Sequence, residues 1–232
     1  RSRWLVRALL PLATAISWRD PASARLAASW GIEAPVGSDP VWGLRPRPWH
    51  GAGGPIVLCW RPTPLLVGRA WMPYLDALDR LASHSDRPVH WLPFHNDQDG
   101  PLLETLRSEG LMPPSLDARS ETVAAADPAA ALDHFAGASL VVAMRLHGLI
   151  LAALAGAPTA ALSYDPKVAA AAVAIGCPCQ DLGTPVGVDL LGSWQRAVDH
   201  PSDPGLIATF RDDADRHRVV LERVVAAMAG GS

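Results

Sequence analysis

Short apolar runs alternate with segments of helical periodicity along the chain. The apolar runs have the length of buried strands, and the segments between them repeat apolar residues at helical spacing, as Leu75, Leu78 and Leu81 do. The strands predicted in this way are Leu12–Trp18, Ile56–Trp60, Val89–Phe94, Ser139–Ala143 and Thr159–Ser163. Strands that are apolar on both faces and are separated by one helix each form a parallel sheet with both faces covered. The pattern therefore predicts an α/β fold with a Rossmann-like parallel sheet.

Capping residues mark several predicted helix ends. Aspartate followed by proline supplies an N-cap and a residue suited to the first helical position. Such pairs begin at Asp20, Asp127 and Asp165, and Asp99 ahead of Gly100-Pro101 is interpreted as an N-cap too. The predicted helices are residues 1–10, Pro21–Trp30, Ala70–Ser83, Leu102–Glu109, a helix from Pro128, Leu146–Ala155, a helix after Pro166 and Pro204–Met228.

Prolines and glycines concentrate in residues 37–55, which is typical of an interdomain linker. We therefore predict that residues 1–45 end an N-terminal Rossmann-like domain and that residues 46–205 form a C-terminal one. Residues 206–232 are predicted to be a C-terminal helix, with the option of packing back on the first domain. The first residue is Arg rather than Met, so we expect a fragment without its N-terminal portion, and activity is expected of the intact protein.

Composition excludes several classes of protein. Hydrophobic residues make up 49% of the chain and charged residues 19%, which excludes a disordered chain. The formal net charge of −3 gives no global basic field for nucleic acid, so any anion binding has to be local. The long apolar stretch Leu149–Leu162 is interrupted by Gly156 and Pro158 and is too short to cross a bilayer. No transmembrane segment and no nucleic-acid partner are therefore predicted.

The chain shows no pattern of cysteines or acidic residues that demands a metal. Its three cysteines, Cys59, Cys177 and Cys179, are sparse and odd in number, which favours a reduced, cytoplasmic compartment and structural thiols. Asp97-Gln98-Asp99 matches the Asp-x-Asp spacing of metal-binding sugar-nucleotide enzymes, but a capping role is favoured. Glycine-rich phosphate loops and the hydrolase and zinc-peptidase motifs are absent. We predict no cofactor and no metal site.

Cationic or titratable side chains follow every predicted strand. They are Arg19, Arg61, His95, Arg145, His147, Tyr164 and Lys167, the last being the only lysine in the chain. Ligands of open α/β sheets bind beyond the carboxyl ends of the strands, and guanidinium groups bind phosphate and carboxylate bidentately. The helices beginning at Leu146 and Pro166 would add partial positive charge. This predicts a small anionic substrate; the alternative is that these are ordinary strand-end residues in an arginine-rich chain.

The segment Arg145-Leu146-His147-Gly148 is the most specific of these strand ends. It lies at the turn from a buried strand into an alanine-rich helix. The positive end of that helix disfavours a charged imidazole, which suits His147 to acid/base work near neutral pH. The alternative is a histidine that only satisfies the start of the helix.

Four segments together carry a family signature. They are Ile16-Ser17-Trp18-Arg19-Asp20-Pro21-Ala22-Ser23, Asp39-Pro40, Ala143-Met144-Arg145-Leu146-His147-Gly148 and Ser163-Tyr164-Asp165-Pro166-Lys167-Val168. In this order they resemble the polysaccharide pyruvyl transferase family, particularly its bacterial cell-wall-polysaccharide branch, from about Ile16 to Ile175. The resemblance implies a two-domain fold similar to GT-B glycosyltransferases, of which this chain would supply the C-terminal half and the tail of the first domain.

The resemblance also implies a reaction. Members of the family move pyruvate from phosphoenolpyruvate to a sugar of a cell-surface polysaccharide, usually as a cyclic ketal. The partners expected are phosphoenolpyruvate as donor and a glycan or a lipid-linked sugar as acceptor. The alternatives are a GT-B-like glycosyltransferase that uses a nucleotide sugar, and a non-catalytic module that binds a glycan or an anion.

Roles for individual residues follow from the resemblance. Arg145 and His147 are expected to be catalytic, with His147 acting as general acid/base or steadying the departing phosphate. Arg145 and Arg19 are expected to bind the phosphate and the carboxylate of phosphoenolpyruvate. Substrate binding is expected of Arg19, Arg61, His95, Tyr164 and Lys167, with Arg61 and Lys167 as supporting charges and His95 facing the acceptor.

Overall fold

The computed structural model describes residues 2–187 and 189–229. Arg1 and residues 230–232, which belong to the predicted first helix and C-terminal segment, lie outside the described residues. The chain divides into two compact units, Arg1–Arg45 with Gly205–Ser232 and Pro46–Pro204. We call these the first unit and the second unit. In the described ranges, none of the helices combines the length and the apolar character needed to cross a bilayer.

The second unit is built on a six-stranded sheet in which all neighbouring strands are parallel. The strands are β1 (Ile56–Cys59), β2 (Val89–Trp91), β3 (Ser120–Thr122), β4 (Leu140–Ala143), β5 (Thr159–Ser163) and β6 (Cys179–Asp181). Their order in the sheet is β3-β2-β1-β4-β5-β6. Every residue of β1, β4 and β5 is buried, as expected for strands covered on both faces. The predicted α/β parallel sheet is confirmed.

The helices are α1 (Ser2–Leu9), α2 (Pro21–Ala28), α3 (Met72–Ser85), α4 (Asn96–Asp99), α5 (Leu102–Ser108), α6 (Pro114–Asp117), α7 (Pro128–Ala136), α8 (Leu146–Leu154), α9 (Pro166–Ile175), α10 (Leu190–Val198) and α11 (Pro204–Ala229). The predicted caps are confirmed where aspartate precedes proline. Ser23, Ala130 and Lys167 donate their backbone N–H groups to Asp20, Asp127 and Asp165, respectively. Asp99 is not the cap of α5, since Pro101 occupies that position.

A cluster of tryptophans fills the core beneath the end of β1. The Trp60 ring lies 5.6 Å from Trp71, 5.5 Å from Trp91 and 6.5 Å from Trp194, measured between ring centroids. All four side chains are buried. Because large aromatic rings bury much apolar area and interlock in few arrangements, they fix the chain where it leaves β1. The backbone of the next residue, Arg61, is therefore held firmly.

The predicted strand Leu12–Trp18 is wrong. Leu10–Leu12 forms a 3₁₀ turn, and of the rest only Trp18 pairs, in a single bridge to Val36. A strand needs a neighbouring backbone that accepts and donates along its length, and the described residues offer one to Trp18 alone. Two strands and three short helices were not predicted. They are β3, β6, α4, α6 and α10. Both strands are short and largely polar, and they lie at the edges of the sheet.

In the first unit, α11 packs on the segment around residues 17–42. The imidazole of His217 hydrogen-bonds the Ser17 hydroxyl at 2.7 Å and the Ser38 carbonyl at 2.8 Å. Trp42 stacks on Phe210 with ring centroids 4.7 Å apart. These contacts join two stretches of chain that are far apart in sequence.

Much of the predicted linker is packed rather than loose. Trp49 donates from Nε1 to the carbonyl of Ala138 at 2.8 Å, and the N–H of His50 donates to Ala136. A Cβ atom on Gly51 would overlap the Ala138 carbonyl, and one on Gly54 would overlap the Gly137 carbonyl. Glycine at these two positions lets the segment lie directly against the turn between α7 and β4.

Replacing Gly54 by alanine is expected to destabilise the protein by about 1–3 kcal/mol, because the new methyl group forces the packed segment away from the Gly137 backbone. The matched control is Gly53→Ala, where a Cβ meets no atom within 4 Å. Denaturant unfolding of the two variants measures the difference. Equal stability of the two variants would contradict the close packing described.

Candidate active site at the carboxyl edge of the sheet

The order of the strands reverses at β1, which lies between β2 and β4. In open parallel sheets with this order, the chain leaves the two central strands in opposite directions and opens a crevice at their carboxyl ends. Cys59 and Ala143 pair at these ends of β1 and β4. The residues that follow them are therefore the candidates for lining such a crevice.

Six of the seven predicted site residues follow strands that are consecutive in the sheet. His95 follows β2, Arg61 follows β1, Arg145 and His147 follow β4, and Tyr164 and Lys167 follow β5. With neighbouring strands about 4.8 Å apart, the four strand ends span roughly 14 Å. Arg19 is the exception to the predicted rim, because it belongs to the first unit and follows no strand of this sheet.

Arg145 forms an ion pair with Asp99. Its Nη2 lies 2.5 Å from Oδ1 of the carboxylate and its Nε lies 3.1 Å from Oδ2, so the guanidinium donates through two parallel hydrogen bonds. The Asp99 side chain is 0% exposed and the Arg145 side chain 20% exposed. Nη2 also approaches Oε1 of Gln98 at 3.3 Å. The charge of Arg145 is thus met within the protein.

Arg61 is held by Tyr164. Its Nη1 donates to the tyrosine hydroxyl at 3.1 Å, and its guanidinium carbon lies 5.1 Å from the centre of the tyrosine ring. The Nε group of Arg61 donates to the carbonyl of Pro62. None of these partners is a carboxylate, and the described residues supply no carboxylate for Arg61. The side chain is therefore fixed in place with its positive charge uncompensated.

The side chains of Arg61 and Arg145 each extend past the end of a neighbouring strand. Arg61 reaches from β1 past β4 to the residue after β5, and Arg145 reaches from β4 past β1 to the loop after β2. The Arg61 guanidinium is therefore held on the β5 side of the point where the strand order reverses, and the Arg145 guanidinium on its β2 side. Of the two arginines, only Arg145 has a carboxylate partner, so Arg61 is the one whose charge is not paired. Lys167 adds an exposed cation at the same edge.

The N-terminus of α8 opens onto the same edge. Its N-cap residue, Arg145, makes no capping hydrogen bond from its side chain to the helix backbone. A Cβ atom on Gly148 would lie 3.1 Å from Cβ and 3.3 Å from Sγ of Cys59, so the first turn of α8 lies directly on the end of β1. The first N–H groups of an uncapped helix carry partial positive charge and bind anions.

Three predicted site residues are exposed at this edge. His147 lies in the first turn of α8 and Lys167 in the first turn of α9. His95 is the residue before α4, and its backbone N–H donates to Asp99 at 3.1 Å. The structure therefore presents these side chains to solvent, where a ligand can reach them.

None of the three cysteines has the lowered pKa of a reactive thiol. Burial, with a smaller contribution from Asp99, raises the pKa of the Cys59 thiol well above its ordinary value. Burial likewise raises the pKa of Cys177 to about 12, and it raises the pKa of Cys179. All three cysteines are free. In residues 2–187 and 189–229, no group of three or more His, Cys, Asp or Glu side chains is arranged to hold a metal ion.

In the first unit, Arg19 lines a cleft of about 720 Å³ together with Trp18, Ser23 and His217. Its Nη1 lies 3.2 Å from Oδ2 of Asp39, so the structure joins two of the signature segments. Asp20 accepts from both the N–H and the hydroxyl of Ser23 at 2.7 Å. Burial acts to raise the pKa of Asp20, but the hydrogen bonds from Ser23 hold it below its ordinary value.

The environment of Asp99 differs from the helix cap that the sequence predicted. Besides Arg145, its Oδ2 accepts the backbone N–H groups of Phe94 at 3.2 Å and His95 at 3.1 Å. The sequence shows an acid after β2 and an arginine after β4, but these are separated by 46 residues. Only the order of the strands reveals that the two face each other across β1.

Comparison with known proteins supports the fold. The structure is similar to a variant of S. aureus TarM solved with UDP, α-GlcNAc-glycerol and fondaparinux, with a TM-score of 0.53 and 13% identity over 97% of this chain and 46% of that chain. It is also similar to sucrose-phosphate synthase from Thermosynechococcus elongatus, with a TM-score of 0.50 and 15% identity over 99% of this chain and 62% of that chain. Both are GT-B glycosyltransferases, and the chain has a GT-B-like fold. It spans only about half to three-fifths of their lengths.

Sequence comparison identifies the family. No curated protein sequence gives a significant match. Residues 1–166 match the family model described as polysaccharide pyruvyl transferase, which covers most of the chain, including the Arg145-Leu146-His147 segment. With the strand-end cations, the uncapped helix and the GT-B-like fold in place, the chain belongs to the polysaccharide pyruvyl transferase family, a family of transferases.

Proposed function

We propose that the protein transfers pyruvate from phosphoenolpyruvate to a sugar of a cell-surface polysaccharide and forms a ketal. Family membership supports a transferase of polysaccharide biosynthesis. The observation that carries the proposal further is the pairing of an uncompensated guanidinium, Arg61, with the uncapped N-terminus of α8 at the edge of the sheet. Phosphoenolpyruvate carries a phosphate and a carboxylate, and both groups need donors of this kind.

The geometry supports a division of labour between the two arginines. Arg61 supplies net positive charge, because its partners Tyr164 and Pro62 are neutral. Arg145 supplies directed N–H groups, because its charge is shared with Asp99 while its Nη1 has no acceptor in the described part of the chain. Lys167 and the start of α9 would add charge on the side of β5.

The proposed reaction conserves atoms and charge in three steps. Protonation of the methylene carbon of phosphoenolpyruvate produces an oxocarbenium-like centre at C2, to which one sugar hydroxyl adds. The C2–O bond to phosphate then breaks and phosphate leaves. The second hydroxyl closes the ring, so one hydroxyl proton ends on the new methyl group and the other is carried away with phosphate. Donors fixed around the phosphate stabilise the developing charge.

His147 is proposed to move the proton, since it is exposed in the first turn of α8 beside the proposed phosphate position. His95 is proposed to face the acceptor. The acceptor would be a glycan or lipid-linked sugar in the cytoplasm. Arg19 is also proposed to bind substrate, and residues 1–45 are proposed to be the end of the N-terminal domain.

The intact protein is expected to release inorganic phosphate from phosphoenolpyruvate only when a glycan acceptor is present, with a mass gain on the acceptor that corresponds to a ketal. Phosphate detection and mass spectrometry of the acceptor measure both products. Transfer from a nucleotide sugar without phosphate release would contradict the proposal and favour a glycosyltransferase. Binding of phosphoenolpyruvate or glycan without any turnover would instead favour a binding module.

Arg61→Gln is expected to raise KM for phosphoenolpyruvate about tenfold or more, because a charge-assisted contact to the substrate is lost. Tyr164→Phe keeps the ring beneath the guanidinium and removes only the hydroxyl, so a smaller rise in KM is expected. Steady-state kinetics with varied phosphoenolpyruvate measure both. The control is Arg80→Gln, which removes an exposed guanidinium on α3; if it raises KM equally, Arg61 has no special role.

His147→Ala is expected to lower kcat by about 100-fold or more and to change KM for phosphoenolpyruvate little, because a proton-transfer group acts mainly in the transition state. The control is His84→Ala in the last turn of α3, which precedes β2 and so lies at the opposite edge of the sheet. A rise in KM with unchanged kcat would contradict proton transfer and assign His147 to phosphate binding.

A further inference from the structure

Asp99 is more deeply buried than a residue that caps a helix at the protein surface needs to be. Its side chain is completely buried, yet it carries a carboxylate at the end of the four-residue helix α4. A buried charge is costly unless it is paired and hydrogen-bonded. Here four donors satisfy it: two from the guanidinium of Arg145 and one each from the backbone of Phe94 and His95.

These four hydrogen bonds connect two strand ends that are not neighbours. The backbone donors belong to the loop after β2, and Arg145 belongs to the turn after β4, with β1 between them in the sheet. One carboxylate therefore sets the position of the loop that carries His95 and the direction of the Arg145 side chain. Two parallel hydrogen bonds hold a planar guanidinium in a single orientation, which one contact does not.

We infer that Asp99 is a positioning residue for the transfer reaction: it orients Arg145 so that the Nη1 group points its N–H donors at the substrate anion, and it ties His95 to the same frame. The inference rests on the proposed function and deepens it. In this arrangement Arg145 contributes N–H donors of fixed direction, and its charge is balanced by Asp99. The net positive charge comes from Arg61, which is held on the β5 side of the point where the strand order reverses.

Burial distinguishes Asp99 from the nearby Asp97. Both are in α4, two residues apart, but Asp97 is exposed while Asp99 is buried. Asp97→Asn therefore removes the same charge from the same helix without touching Arg145. It serves as a matched control for Asp99→Asn.

The test is a double-mutant cycle with Asp99→Asn, Arg145→Gln and the double variant in the intact protein. Asp99→Asn is expected to lower kcat by up to about 100-fold per folded molecule, with a smaller change in KM for phosphoenolpyruvate, because misdirected donors fail mainly in the transition state. The double variant is expected to be no slower than Arg145→Gln alone, since Asp99 acts through Arg145. Asp97→Asn is expected to leave both constants unchanged.

Additive losses in the double variant would overturn the inference, and so would a normal kcat per folded molecule in Asp99→Asn. A measurement on the unmodified protein covers the case in which Asp99→Asn does not fold. Hydrogen exchange at Nε of Arg145, followed by NMR, is expected to be slow because that N–H is held by a buried carboxylate. Fast exchange would overturn the inference. Slow exchange in a protein that releases no phosphate from phosphoenolpyruvate would support the positioning and overturn the proposed function.

Discussion

The reversal of strand order at β1 is the constraint from which the candidate site follows. Because β2 and β4 flank β1, the residues that leave these three strands meet over one short stretch of sheet edge. Gly148 lets α8 settle on Cys59, so the helix begins at this edge instead of standing away from it. The tryptophans that pack around Trp60 fix the backbone where it leaves β1. The positions of the two arginines depend on this scaffold, since both must reach past a neighbouring strand to find their partners.

The two arginines show that residue type alone does not define an anion site. Arg61 and Arg145 carry the same group, yet one is matched by a buried carboxylate and the other by a phenol and a carbonyl. A guanidinium paired with a carboxylate contributes little net field and much geometric definition, whereas one beside neutral partners contributes field. An anion with two charged groups is suited to such an edge, because one group can meet charge while the other meets directed donors.

The sequence predicted the parallel sheet because its central strands, such as Val141 and Val142 in β4, are apolar on both faces and leave a strong local signal. It did not predict β3 or β6, because edge strands such as Ser120–Thr122 are short and half polar, and neighbouring backbone rather than pattern makes them strands. The prediction that residues after the strands lie at one edge of the sheet is confirmed in position for Arg61 and Arg145, whereas the capping pattern predicted the wrong role for Asp99. The local sequence pattern predicts helix caps well, as at Asp127. It carries no information about a partner such as Arg145, which follows a strand two positions away in the sheet.

The signature segments combine residues that stabilise the helix ends with residues whose side chains are exposed at the edge of the sheet. Asp20 and Ser23 satisfy each other at the start of α2, and Asp165 caps α9, so the local structure already uses their polar groups. His147 and Lys167 lie one or two positions into their helices, with side chains exposed at the edge of the sheet. Part of each motif therefore consists of residues that cap a helix beside the site. A mutation at such a cap affects the site by shifting the start of the helix. The proposed chemistry therefore falls to residues whose side chains lie next to the caps, near the positive ends of α8 and α9.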